Sequence, residues 1–155
     1  MRGYTPGMEK LHFAVQINAP VHTVWTTMLD DATYREWTSA FNVGSHYEGS
    51  WELGSEIRFV GPEEDGSISG MIGKVIENKP DELVTVEYFG DILHGVERSG
   101  DEAQFFGAHE SYSFSESGGA TTVDVDVDTE EEFTSMFTEL WPAALVKLKE
   151  LAEAR

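Results

Sequence analysis

"FTSMFTELWPAALVKLKELAEA", Phe133 to Ala154, sets Phe133, Met136, Phe137, Leu140, Trp141, Ala144, Leu145, Leu148 and Leu151 at steps of three and four. That is the period of a helix with one buried face. Pro142 stands inside the pattern. An interior proline removes a backbone donor and crowds the carbonyl one turn back, here that of Thr138, at a cost of about 3 kcal/mol. A helix that keeps so regular a stripe around a proline needs a broad apolar surface to cover, and the rest of the chain has to supply it.

The residues upstream do so. "ATTVDVDVD", Ala120 to Asp128, alternates Val123, Val125 and Val127 with Asp124, Asp126 and Asp128, the period of two of a strand with one wet face. It is not an EF-hand loop, because Thr129 stands where the turn glycine belongs and Ser135 where the bidentate glutamate belongs. "KLHFAVQIN" alternates in the same way, with Leu11, Phe13, Val15 and Ile17 on one side. Pro20 then suits a first helical turn, and Val21, Val24, Trp25, Met28 and Leu29 follow helical spacing. Asp30 or Asp31 can cap a second short helix, "ATYREWT", with Tyr34 and Trp37 on one side.

Between these ends lie strand candidates in "GSHYEG", "SEIRFVG", "SISGMIGKVIEN", "ELVTVEYFG" and "GAHESYSFSE", separated by short turns such as "PEEDG" and "KPDE". Short connections predict antiparallel hairpins, since parallel neighbours would need crossovers. The stretch Gly90 to Gly107 is longer and predicts a functional or partly helical loop. A sheet with one apolar face must cover it, and the terminal helix is the one large element left to do so.

Composition narrows the function. The chain has 155 residues, 40% of them hydrophobic, enough for one domain with a real core. It contains no cysteine, so no disulfide, thiolate ligand or thiol nucleophile is available; this fits a cytoplasmic protein. Neither a signal-peptide core nor an apolar run long enough to span a membrane is apparent. Met1 to Gly7 reads as a flexible lead-in and Met8 as an alternative start, leaving residues 9–155 as the single domain. With 29 acidic against 10 basic residues, the net charge of −19 repels phosphate backbones and anionic lipids, so neither nucleic acid nor membrane is an expected partner. The same excess suits solubility or a high-salt habitat.

Several motifs then point to one family. "INAPVHTVWTTMLDDATYREW" resembles the opening of the START-like, or SRPBCC, superfamily. "GSWELGSEIRF", "GKVIENKPDELVTVEY" and the closing "WPAALVKLKELAE" resemble the branch related to the activator of the Hsp-type chaperone ATPase. The resemblance spans nearly all of the chain after Met8. It implies an α+β helix-grip architecture: a curved antiparallel sheet gripping a long C-terminal helix, with a cavity between them. Members include polyketide cyclases, lipid and hormone carriers and chaperone co-factors. It also implies that Pro142 is a kink fitting the helix to the sheet, the alternative being a fresh helix starting there, with Trp141 inward in either case. It places Trp37, Phe41, Tyr47 and Trp51 near the cavity entrance.

Motif-borne catalysis is not signalled. The five histidines form no metal-ligand spacing, there is no G-x-S-x-G elbow, and Gly73-Lys74 is followed by Val75 rather than the Ser or Thr of a P-loop. No metal or cofactor is expected. By strand parity Glu110, Tyr112 and Phe114 share one face, as do Val84, Val86 and Tyr88 on the preceding strand. Facing a cavity, Glu110 with Tyr88 and Tyr112 would form a polar group in an apolar chamber, and a carboxylate so buried is a candidate general base. The alternative is structural, with tyrosine hydroxyls at the rim and Glu110 paired to an arginine. The sequence thus predicts binding of a small hydrophobic or amphipathic, lipid-like or polyketide-like molecule by Trp37, Phe41, Tyr47, Trp51, Tyr88, Tyr112, Phe137, Leu140 and Trp141. Two alternatives stand beside it: a cyclase- or hydrolase-like enzyme, or a chaperone-ATPase regulator with a protein partner. Free strand edges are compatible with a monomer or a homodimer.

Overall fold

A computed structural model describes residues 8–155 of the chain. The lead-in expected over Met1–Gly7 lies outside the described residues, and Met8, grouped with it above, instead opens the first strand. The elements in order are β1 (Met8–Ile17), α1 (Val21–Leu29), α2 (Asp31–Trp37), β2 (His46–Gly49), β3 (Glu56–Pro62), β4 (Ile68–Lys79), β5 (Leu83–Leu93), β6 (Val96–Ser99), β7 (His109–Ser117), β8 (Ala120–Glu130) and α3 (Thr134–Glu153). Asp30 occupies the position before α2, but its side chain makes no capping bond.

All strand pairs are antiparallel, in the order β1-β8-β7-β5-β4-β3-β2, with β6 paired to β5 beyond the end of β7. The sheet is unclosed and curved. Register shifts at Ile72/Gly73 and Val75/Glu77 interrupt the β4–β5 ladder, and such bulges bend a strand. Two glycines of β4 permit close approach, Gly73 toward β5 at the bulge and Gly70 toward β3. A Cβ on Gly73 would lie 2.4 Å from Val86 Cγ1, and one on Gly70 would lie 2.0 Å from the Phe59 carbonyl oxygen.

The Gly90–Gly107 connection is partly helical, as expected, with a 3-10 turn at Gly100–Glu102, but its first part is a hairpin. β5 runs on to Leu93, turns through His94 and Gly95, both at positive φ (49° and 82°), and returns as β6. A two-residue turn with that geometry matches the right-handed twist of a hairpin. Asp91, 3% exposed, holds the far side of this segment: it accepts Arg98 Nε at 2.9 Å and Nη2 at 2.6 Å, and the Gln104 backbone N–H at 2.9 Å.

The alternation in β8 holds, with Val123, Val125 and Val127 in the core. On its other face Asp128 meets Lys10 at 2.9 Å, and Asp124 and Asp126 flank His12 at 3.2 and 2.8 Å. The inner face is covered by α3, which runs through Pro142 without a break, so no fresh helix starts there. Pro142 and Thr138 are both exposed, and the carbonyl that loses its partner can be hydrated. Below Pro142 the helix buries Ala144, Leu145, Leu148 and Ala152 against Ile17, Val24 and Met28 in one core. Its end is pinned by Lys149 Nζ donating to the Gln16 carbonyl and Glu153 accepting the Asn18 N–H, at 3.1 and 2.8 Å.

Candidate functional site

Above Pro142 the same helix does not meet a filled core. Phe137, Leu140 and Trp141 face a cavity of about 350 Å³. Helix α2 contributes Tyr34 and Trp37, three residues apart and so on one helical face, with their rings 5.2 Å apart. Trp37 is fixed by its Nε1 donating to the Met28 carbonyl at 3.0 Å. Phe41 meets Trp141 edge-on at 5.0 Å. The sheet supplies Phe59 from β3, Met71 from β4, Tyr88 from β5, and Glu110 and Tyr112 from β7. Asn42, Ser45, His46, Glu63 and Ser69 add polar groups to the lining.

Glu110 is the polar centre of this chamber. Tyr88 donates its hydroxyl to Glu110 Oε1 at 2.8 Å, and Tyr112 donates to Oε2. The carboxylate is half-buried, and it lines the cavity. Burial pushes its pKa up, against the two phenol hydrogen bonds, which favour the charged form. Burial, then the neighbouring Glu110 charge, holds both phenols well above their ordinary range, so they remain donors. The alternative arrangement, an arginine partner for Glu110 and hydroxyls at the rim, is not the one adopted. Arg98 is taken by Asp91, and Arg58 by Glu56 and Glu97.

Seven of the nine expected ligand contacts line the cavity: Trp37, Phe41, Tyr88, Tyr112, Phe137, Leu140 and Trp141. Tyr47 and Trp51 do not. Both reach the Leu29 carbonyl instead, Tyr47 through its hydroxyl at 2.6 Å and Trp51 through its indole N–H at 3.1 Å. There they back Tyr34, with ring distances of 5.0 and 6.4 Å. Their polar handles needed a partner once buried, and the end of α1 provides it.

Sequence reasoning passed over Tyr34, Phe59, Met71 and Phe105 as wall residues. The pairing of Tyr34 with Trp37 on one side of α2 was a usable signal. Phe105 had none: it sits at φ 61°, in a loop, with its ring 5.3 Å from Phe133 and 6.4 Å from Phe137. Among the described residues no group of three or more His, Asp or Glu side chains is arranged to hold a metal ion, and no helix is long and apolar enough to cross a membrane.

The fold is shared with solved structures. A protein of Nitrosomonas europaea superposes with a TM-score of 0.72 at 13% identity, covering 94% of each chain. An AHSA1-like protein from Aeromonas hydrophila gives 0.69 at 17% identity, covering 94% of this chain and 93% of that one. The Aha1 dimer from Colwellia psychrerythraea gives 0.65 at 17% identity, covering 94% and 96%. At these identities the likeness establishes the fold alone. No curated protein matches the chain. The profile of one family, however, matches residues 18–153, from the end of β1 through the last turns of α3. Its proteins belong to the START-like, or SRPBCC, superfamily, and this chain is a member of that family, Activator of Hsp90 ATPase homolog 1-like protein.

Proposed function

We propose that this protein binds a small apolar or amphipathic molecule between the curved sheet and the upper half of α3. One observation carries the reading: an aromatic-walled cavity of about 350 Å³ with the carboxylate of Glu110 held in its wall by two phenol hydrogen bonds. That size lies at the lower end of small-molecule sites, roughly 300–1,000 Å³, which are mostly apolar with few orienting polar groups. A ligand at a hundredfold excess over its Kd would add about 2.7 kcal/mol to stability. A thermal-shift panel of hydrophobic compounds, with native mass spectrometry of the purified protein, tests the reading. Melting temperatures that no compound raises, together with no co-purifying mass, would sink it.

A second reading is enzymatic. A carboxylate with a raised pKa, in contact with two phenol donors and open to a cavity, has the environment of a general base. Any turnover found should be lost in Glu110→Gln with the fold retained, and unchanged turnover would remove Glu110 from that role. Regulation of a chaperone ATPase is supported by the family description alone, and stimulation of such an ATPase by the purified protein is its test. Self-association is open to direct measurement, since one structural neighbour is a dimer.

A further inference from the structure

We propose that the cavity selects a basic amphiphile, an amine carried on an apolar body, with Glu110 as its counter-ion. This rests on the binding reading above and specifies its ligand class.

The charges in the wall are of one sign. Glu63 and Glu110 line the cavity, as does Asp128, which is already paired with Lys10 on the outer face, and among the described residues lining it there is no lysine or arginine. The arginines on adjoining strands are committed elsewhere, Arg58 to Glu56 and Glu97 and Arg98 to Asp91. A fatty acid or phosphate head group entering this chamber would lose its hydration without gaining a counter-charge, and would meet Glu110 besides. An ammonium group meets the opposite situation. Each Glu110 oxygen accepts one phenol, and an ionised carboxylate has about four acceptor positions, so each oxygen keeps one for a further donor.

The surrounding rings favour the same sign. Tyr88 lies 6.2 Å from Phe59, and Tyr112 lies 6.0 Å from Trp141, so the two phenols that orient the carboxylate belong to an aromatic wall. Ring faces attract cations, more strongly when both are out of water. The apolar body has Met71, Phe137 and Leu140 to rest on. The net charge of −19 also draws cations toward the protein, but that long-range attraction is screened by salt and a buried contact is not.

The test uses three probes of one shape: 4-phenylbutylamine, 4-phenylbutanol and 4-phenylbutyrate. They are titrated into the full chain at low and at about 0.5 M salt and followed by tryptophan fluorescence, since Trp37 and Trp141 line the cavity. The amine should bind about tenfold or more tighter than the alcohol, and the carboxylate weakest, with the order kept at high salt. In Glu110→Gln the ratio of amine to alcohol affinity should fall toward one. The proposal is overturned if the amine binds no better than the alcohol, if its advantage disappears in salt, or if Glu110→Gln leaves the ratio intact. Binding of the alcohol or carboxylate without an amine preference leaves the cavity-binding reading standing. Binding of none of the three overturns the amine proposal, and the binding reading falls with it if the thermal-shift panel and native mass spectrometry are also negative. The head-group series on the unaltered chain decides the matter even if the Gln variant does not fold.

Discussion

The two halves of α3 bury their apolar stripe in different ways. Beyond Pro142, Ala144, Leu145, Leu148 and Ala152 are at most 2% exposed, whereas before it Phe137 and Leu140 are only half-buried and Met136 is 42% exposed. One periodic stripe therefore covers two different surfaces, a filled core at one end and a hollow at the other. Amphipathic spacing reports that a face is covered, not that the space beneath it is full. Pro142 stands at the junction, with Trp141 closing the cavity on one side and Ala144 beginning the packed core on the other.

Paired truncations offer the most direct way to break this contrast. Leu148→Ala removes a side chain enclosed on all sides and should cost about 2–5 kcal/mol. Leu140→Ala removes one already facing open space, which has fewer packing contacts to lose, and should cost about 1 kcal/mol while altering probe binding. Urea unfolding of the two variants measures the difference. Equal losses would mean that both halves pack alike and that the hollow is not there to be filled.

Pro142→Ala acts on the junction itself. A helix-interior proline is about 3 kcal/mol less favourable than alanine, but it also restricts the unfolded chain, and here its exposed position lets the orphaned Thr138 carbonyl reach water. A net gain of about 1 kcal/mol is expected, read as a higher unfolding midpoint. Loss of stability would instead show that the local helix geometry set by proline is what seats Trp141.

The packed half was the more legible in the sequence. Val123, Val125, Leu145 and Leu148 follow simple periods, and each is buried because period and burial coincide when a face meets a filled core. Parity also put Glu110 and Tyr112 on one face, and the β5–β7 register brings Tyr88 to them. The hollow half depended on tertiary contacts that no period encodes. Tyr47 and Trp51 turn to the Leu29 carbonyl, Phe105 reaches α3 from a loop, and His94 takes a positive φ that turns the first part of the Gly90–Gly107 connection into a hairpin.

Glu110 sharpens the contrast through its proton. Burial raises its pKa in the folded chain, so as pH climbs past its ordinary value of 4.5 the unfolded chain loses the proton first. Stability then declines until the folded group also ionises, and is flat above that. Glu110→Gln lacks this decline, so the stability of the unaltered chain relative to the variant should fall across that window. Because the carboxylate sits in the chamber wall rather than on the outer surface, salt should weaken the step far less than it weakens a surface pair. Denaturant midpoints of both proteins from pH 4 upward check it, and a difference that does not change with pH would place Glu110 in contact with bulk water.

The smallest effect belongs to the outer face of the same wall. His12 lies between Asp126 at 2.8 Å and Asp124 at 3.2 Å, and the Asp126 hydrogen bond is the largest cause of its raised pKa. A histidine raised in the folded state contributes stability that is fully present below its ordinary 6.5 and is lost as pH rises through the higher folded value. Stability therefore falls with pH here too, but in a later window than for Glu110. The imidazole is exposed, so the contribution is small and open to screening. His12→Gln should flatten the slope beginning near pH 6.5, and about 1 M salt should flatten it in the unaltered chain while the lower step from Glu110 persists. A late slope that survives salt would have to come from an enclosed group, and the division between a wet outer face and a dry inner one would fail at β8.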